Sequence, residues 1–110
     1  MAKSSKKTES DILYEAILTL KDLDECKKFF RDLCTVSELR AMEQRFEVAI
    51  LLSQGMIYND ILERTGASSA TISRVNRSLQ YGADGYPTFC RRQAAPWRRL
   101  WFQFSGRVSF

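Results

Sequence analysis

Apolar residues recur at intervals of three and four along most of this chain, which is the spacing of one face of an α-helix. The first such run is Leu13, Ile17 and Leu20, and we expect order to begin near Ser10. No stretch alternates apolar and polar residues over a useful length, and no internal repeat is present. The pattern predicts an all-α protein.

Two helix-start signals divide the pattern that follows. Asp22-x-x-Glu25 and Thr35-x-x-Glu38 both have the form of a capping box, in which two side chains satisfy each other's backbone N–H groups. The first signal predicts a helix that ends near Cys34. The second predicts a helix of about 17 residues. Such a helix spans roughly 25 Å, and it is the expected backbone of the domain.

Each of these helices carries one apolar face, predicted from the spacing of its large side chains. The shorter helix is expected to bury Leu23, Cys26, Phe30 and Leu33. The longer helix is expected to bury Leu39, Met42, Phe46, Ala49 and Ile50, with Leu51 and Leu52 widening the stripe. A stripe of that width favours packing against more than one neighbour.

Residues 58–79 form the pattern of two short helices around a tight turn. Ile61 marks the inner face of the first helix, and Ile72 marks that of the second. Gly66 suits the left-handed backbone that ends a helix, and one of the two serines that follow can cap the next. The pattern predicts a helix-turn-helix.

The outward face of the second of these helices is hydroxyl-rich and basic. It carries Ser69, Thr71, Ser73, Arg74 and Arg77. Short hydroxyls can approach base edges, and arginines can hold phosphates or guanines. The backbone amides near Ser68 could also face a phosphate. These residues predict a helix that reads DNA.

Composition narrows the class of protein. The 110 residues, 45% of them hydrophobic, suit one compact domain. There is no histidine, which removes the commonest general base and nitrogen metal ligand, and the three cysteines lack the spacing of a zinc site. The carboxylates from Asp22 to Glu25 are better explained as helix-capping groups than as acid/base machinery. We expect no enzyme, no metal and no cofactor.

Charge is distributed unevenly along the chain. Up to Tyr86, 12 lysines and arginines oppose 13 acidic residues, whereas residues 87–110 contain five arginines and no acid. The net charge of +4 therefore comes from the C-terminal segment. A high isoelectric point is consequently no evidence that the rest of the chain binds nucleic acid.

Composition also divides the chain into three parts. Residues 1–8 are polar and predict a flexible arm, and residues 9–86 are the predicted domain. No apolar run approaches the roughly 20 residues that span a bilayer, and the N-terminus lacks an apolar signal segment. We expect a cytoplasmic protein without membrane association.

Residues 87–110 form a basic aromatic tail with both prolines, both tryptophans, four phenylalanines and five arginines. Three interpretations stay open. The tail could bind acidic lipid or stack on nucleic acid, it could pack over the domain or a dimer seam, or it could be a frame-altered or vector-derived end of unselected composition.

With residues 42–86 in view, the chain resembles the tryptophan repressor superfamily over about 75 residues, and within it the YerC/YecD or TrpR-like branch. The pattern GASSATISRVNRSL, preceded by a long helix ending in LLSQGM, carries the likeness. The resemblance implies an intertwined dimer whose core is built by residues 10–52 and whose helix-turn-helix heads face successive major grooves. The bases would be met by Ser69, Ala70, Thr71 and Ser73, and backbone contacts would lie beside Tyr58, Asn59 and Arg77.

The resemblance also implies a ligand pocket that this chain has altered. Tryptophan repressors hold the amino-acid carboxylate with arginines and lay the indole against a small residue. Arg74 and Ser78 match that site, but Gln44 stands where an arginine is expected and Val75 where a glycine is expected. The branched side chain of valine would occupy the space of the indole ring. Glutamine is uncharged, so it cannot form the paired, charge-assisted hydrogen bonds that an arginine makes to a carboxylate. We predict no tryptophan binding, and any other small-molecule effector is unknown.

The sequence thus predicts a DNA-binding transcriptional regulator, specifically a repressor, that recognises double-stranded DNA as a homodimer. A competing interpretation is a helical dimer that serves as a protein-interaction module with weak, non-specific DNA binding. A third is a peripheral membrane protein directed by the tail.

Overall fold

The computed structural model describes residues 11–92, so the predicted arm and most of the tail lie outside the described residues. Within residues 11–92 the chain forms α-helices and no strand, which confirms the all-α prediction. The helices are α1 (residues 11–18), α2 (Leu23–Leu33), α3 (Val36–Ser53), α4 (Tyr58–Thr65), α5 (Ser69–Tyr81) and α6 (Gly85–Arg92). None of the described helices has both the length and the apolar character needed to cross a membrane.

The chain divides into two compact units, Met1–Arg40 and Ala41–Phe110. In the first unit, α2 begins where its capping box predicts. The N–H of Glu25 donates to Asp22 Oδ1 at 2.9 Å, and the Glu25 carboxylate accepts the N–H of Lys21 at 2.9 Å. The carboxylate therefore reaches one residue further back than in the standard box.

The start of α3 shows the reciprocal pattern in full. The N–H of Glu38 donates to Thr35 Oγ1 at 3.1 Å, and the N–H of Thr35 donates to Glu38 Oε1 at 2.9 Å. Two backbone donors that the helix itself cannot satisfy are thereby paired. α3 then runs for 18 residues, and Gly55, with φ of +88°, lies in the turn that follows it.

The apolar residues of the first unit are at most half-buried. On the predicted inner face of the first helix, Leu13, Ala16 and Ile17 are half-buried, and Leu20 is half-buried too but lies beyond the end of α1. In α2, Phe29 and Phe30 pack edge to face with centroids 5.4 Å apart. The prediction that Leu23 and Leu33 lie on the inner face is wrong for the single chain, because they are 70% and 51% exposed. Both are terminal residues of α2, where neighbouring turns cover a side chain least.

The second unit contains the fully buried core, to which α3, α4, α5 and the turn before α5 contribute. Its members are Val48, Ala49, Leu51, Ile61, Ala67, Ile72 and Val75. Val48 is fully buried although it was not predicted to be, whereas Met42 and Phe46 are half-buried. α4 packs against α5, and α5 packs against α6. The core thus lies directly beneath the helix-turn-helix.

A short turn containing Asp84 leads into α6. Asp84 has a left-handed φ of +75°, and its Oδ2 accepts a hydrogen bond from Thr88 Oγ1 at 3.1 Å. The same carboxylate oxygen pairs with Arg91 at 3.6 Å. These contacts connect the turn with the first and second turns of the helix.

α6 extends past residue 86, where the domain boundary was predicted. On α3, Phe46 lies 6.4 Å from Tyr86 and 5.0 Å from Phe89, measured between ring centroids. The boundary stays a prediction, but the first residues of the predicted tail are helical and pack on α3.

Candidate nucleic-acid interface

The tight turn between α4 and α5 is held by local hydrogen bonds. Gly66 ends α4 with φ of +73°, and its N–H donates to Leu62 O at 2.9 Å. This is the left-handed cap predicted for that glycine. Thr65 Oγ1 donates to Ile61 O at 2.7 Å and accepts the N–H of Ala67 at 3.0 Å. The side chain of Thr65 thereby connects the last turn of α4 to the backbone of the turn.

The start of α5 is capped by Ser68, one of the two serines predicted for that role. Its Oγ accepts the N–H of Thr71 at 3.1 Å and donates to Thr71 Oγ1 at 3.1 Å. Ser69, the first residue of α5, is exposed. The hydroxyl of Ser68 is therefore engaged in forming the helix start, whereas that of Ser69 faces solvent.

One side of α5 gathers most of the predicted DNA-binding residues. Ile72 and Val75 define the inner side of the helix, with 0% and 1% of their surface exposed. The exposed α5 face consists of Ser69, Ala70, Ser73, Arg74 and Arg77. Thr71 is half-buried and lies at the edge of this face. The two arginines thus stand among small side chains on a surface that a DNA groove could approach.

Tyr58 and Asn59, the remaining predicted contacts, lie in the first turn of α4 and are exposed. α4 is eight residues long and ends at Thr65, so these two residues lie roughly 10 Å along the helix from the turn. They therefore belong to the opposite end of α4 from the start of α5.

The exposed side of α5 extends further than predicted. The helical pattern fades after Leu79 in the sequence, but α5 continues to Tyr81 and ends at its C-cap Gly82. Tyr81 is 81% exposed and follows Arg77 by four residues, which places both on the same side of the helix. The same spacing rule could have identified this aromatic residue if the helix had been continued by one half-turn.

The four residues of the altered ligand pocket have different environments. Val75 is packed in the core, Arg74 belongs to the exposed α5 face, and Ser78 is half-buried. Gln44 Nε2 donates to the backbone oxygen of Thr65 at 3.2 Å in a partly buried position. Gln44 is therefore occupied by a contact within the chain.

Residues 64–83 contain three arginines and no acidic residue. Arg64, the first of the three, has a different role from Arg74 and Arg77. It is half-buried on α4, and its positive charge acts on Glu47 of α3. Burial raises the pKa of the Glu47 carboxyl above its usual 4.5, and the attraction of Arg64 opposes part of that rise. The exposed basic character of this interval therefore comes from Arg74 and Arg77.

The described residues contain no group of three or more His, Cys, Asp or Glu side chains that could hold a metal ion. The thiols of Cys26, Cys34 and Cys90 are free and half-buried.

Comparison with known proteins identifies the same fold and family. The sequence profile of the family described as Trp repressor protein matches residues 8–94. The uncharacterized protein YerC of Bacillus subtilis (strain 168) is 55% identical over 78 residues, which span 71% of this chain and 75% of YerC.

Two solved structures are similar over most of their length. A candidate Trp repressor from Staphylococcus aureus has a TM-score of 0.76 and 48% identity, with 79% of this chain and 87% of that chain covered. A TrpR-like protein from Eubacterium eligens ATCC 27750 has a TM-score of 0.77 and 53% identity, with 80% and 91% covered.

These matches confirm the resemblance found in the sequence, and the family profile includes all of α6. The helix-turn-helix geometry, the family profile and the similarity to YerC agree. This chain belongs to the Trp repressor family, in its YerC-like branch.

Proposed function

We propose that this chain is a sequence-specific DNA-binding transcriptional regulator that acts as a repressor. Its family supports a DNA-binding regulator rather than an enzyme. The observation that carries the proposal is the exposed α5 face, where Arg74 and Arg77 stand among small side chains on a helix anchored by a buried inner side. Such a face provides both phosphate attraction and access to base edges.

The residues of this face have separate roles in the proposal. Arg74 and Arg77 attract phosphates, an interaction that salt weakens through counterion competition. Ser69, Ala70 and Ser73, with Thr71 at the edge, meet base edges, where a good contact discriminates by about 1–3 kcal/mol. Tyr58 and Asn59 support the contact with the DNA backbone, and Ser68 sets the start of the reading helix. In this proposal the protein acts by binding at a defined position on DNA and catalyses no reaction.

We further propose that the protein acts as a homodimer. In the first unit, large apolar side chains are exposed, and they are Ile12, Tyr14, Leu18, Leu23, Leu33 and Val36. Burial of apolar surface is favourable by about 25 cal/mol per Å², and a second copy carries the same surface in symmetric form. Two copies would present two α5 faces, which predicts a roughly palindromic site.

Tryptophan is not the corepressor in this proposal. Val75 is buried in the core, and Gln44 already donates to the Thr65 carbonyl. Neither residue offers what an amino-acid ligand with an indole ring and a carboxylate requires. A regulator of this kind works where chromosomal DNA is, so a cytoplasmic location is part of the proposal.

Selection of bound duplexes from a random pool at physiological salt tests the proposal. The expected result is an enriched palindrome with two half-sites, together with a dimeric mass by light scattering. Retention of all duplexes without enrichment would contradict sequence-specific reading. That outcome, combined with stable protein partners in pull-downs, would favour the protein-interaction module instead.

A further inference from the structure

One hydrogen bond connects α3 directly to the end of the first helix of the helix-turn-helix. Gln44 Nε2 donates to the backbone oxygen of Thr65 at 3.2 Å, and the two residues are 21 positions apart in the chain. Thr65 is the last residue of α4. The bond therefore joins the long helix to the point where the chain turns toward α5.

The carbonyl that accepts this bond is one that α4 leaves without an intrahelical partner. The last four carbonyls of a helix lack such partners and need other donors. The N–H of Gly66 satisfies Leu62 O, and the amide of Gln44 serves Thr65 O. Gln44 thus acts as a C-terminal capping group supplied from another helix.

Thr65 also connects this cap to the start of α5. Its Oγ1 bridges Ile61 O and the N–H of Ala67, and Ser68 then caps α5. A series of hydrogen bonds consequently connects Gln44, through the turn, with the first residues of the exposed α5 face.

The apolar contacts of α3 differ from this bond in how strongly they depend on direction. Val48 and Leu51, which follow Gln44 by four and seven residues, are buried in the core shared with α4 and α5. Apolar contacts of this kind are non-directional, whereas a hydrogen bond weakens steeply with misalignment. The core holds the two helices and Ala67 of the turn, and the Gln44 bond adds a directional contact at the last residue of α4.

We infer that Gln44 is a positioning residue for DNA reading, which fixes the turn that aims α5 without a bound effector. This inference rests on the proposed function of the exposed α5 face. When only a fraction of molecules has the competent arrangement, the apparent affinity equals the intrinsic affinity multiplied by that fraction. Loss of the Gln44 bond should therefore reduce selective binding more than charge-driven binding to random duplexes, which tolerates a displaced helix.

Gln44→Met tests the inference, because methionine has similar length and no N–H donor. We expect the ratio of selected-site affinity to random-duplex affinity to fall about 3- to 10-fold, the size of one net hydrogen bond. Amide hydrogen exchange in residues 65–69 should become faster. Gln54→Met is the matched control, since Gln54 is exposed just after α3, and it should change neither measurement.

Gln44→Lys separates the hydrogen bond from simple packing. Lysine keeps a donor of comparable reach, so we expect slow exchange in the turn to return, whereas a packing role would leave Lys no better than Met. The inference is overturned if Gln44→Met keeps the selectivity ratio, whether or not exchange changes. If the unsubstituted chain shows no selective binding, the proposed function fails, and the exchange measurements still decide whether Gln44 fixes the turn.

Discussion

Phe89 of α6 packs edge to face on Phe46 of α3, with ring centroids 5.0 Å apart and an interplanar angle of 65°. Tyr86 lies against the same phenylalanine at 6.4 Å. An aromatic pair of this geometry contributes about 0.5–1.5 kcal/mol beyond the area that it buries. The beginning of the basic aromatic tail therefore contributes to the packing of the second unit.

Two truncations test this contribution. A chain ending after Tyr86 loses Phe89 and the Asp84–Arg91 pair, whereas a chain ending after Arg92 keeps both. We expect the shorter chain to have a free energy of unfolding lower by about 1–3 kcal/mol, from lost aromatic packing. Thermal melts of the two chains measure the difference. Equal Tm values would show that α6 adds nothing to stability.

Two adjacent serines should differ in what their hydroxyls do. Ser68→Ala removes the cap of α5 and should lower the free energy of unfolding by about 1 kcal/mol. Ser69→Ala, at the exposed first residue of α5, should leave stability within about 0.5 kcal/mol while reducing selective DNA binding. Urea unfolding provides the comparison. An equal loss of stability in the two variants would contradict the assignment of Ser68 as the cap of α5.

The pKa of Glu47 predicts the sign of one contribution to pH dependence. Desolvation raises it above 4.5 despite the attraction of Arg64, so the folded state binds this proton more readily than the unfolded state. The contribution of Glu47 to stability is therefore fully present below the unfolded pKa and is lost as pH rises through the folded pKa.

Glu47→Gln should accordingly be more stable than the unsubstituted chain at neutral pH, with the difference shrinking as pH falls toward 4.5. Urea unfolding across that range measures it. Glu43→Gln is the control, because Glu43 is exposed on the same helix. A stability gain in Glu47→Gln that does not change with pH would rule out titration of Glu47 as its source.

Arg77 and Ser73 lie on the exposed α5 face four residues apart, and their substitutions should separate attraction from selectivity. Arg77→Ala should weaken binding to every duplex, because one phosphate contact is lost. The slope of log affinity against log salt concentration should also decrease in magnitude by about one. Ser73→Ala should instead change which base is preferred at one position. Affinities for the selected site and its single-base variants, measured at several salt concentrations, distinguish the two effects. Identical profiles for both variants would speak against the division of roles.

Titration with L-tryptophan tests the altered pocket. Because Val75 fills core space and Gln44 is hydrogen-bonded within the chain, we expect no saturable heat at micromolar ligand and no shift in Tm. Saturable micromolar binding by calorimetry would overturn this expectation. The same titration with other amino acids extends the measurement to related effectors.

Features with local causes were predictable from the sequence. The Thr35–Glu38 capping box, the left-handed Gly66 and the Ser68 cap all depend on residues at most three or four positions apart. Their side chains recognise nearby backbone whatever the rest of the fold does. Spacing alone also identified the buried sides of α4 and α5.

Features that depend on distant partners were not predictable in the same way. Nothing near Gln44 in the sequence indicates that its amide reaches Thr65, and nothing near Phe89 indicates that its ring meets Phe46. The exposure of Leu23 also depends on which surfaces surround α2, a property that helical spacing does not contain. Such contacts arise from tertiary packing, which local patterns do not determine.

The local character of the turn has a consequence for how the protein folds. The bonds that shape it, from Thr65 to Ile61 and Ala67 and from Ser68 to Thr71, close loops of only a few residues. Short loops close rapidly, and contacts of low sequence separation favour early formation. We expect α4 and α5 to assemble as a hairpin of helices before α3 docks. The bond from Gln44 to Thr65 would then form last, when α3 packs against the assembled pair of α4 and α5 and orients it.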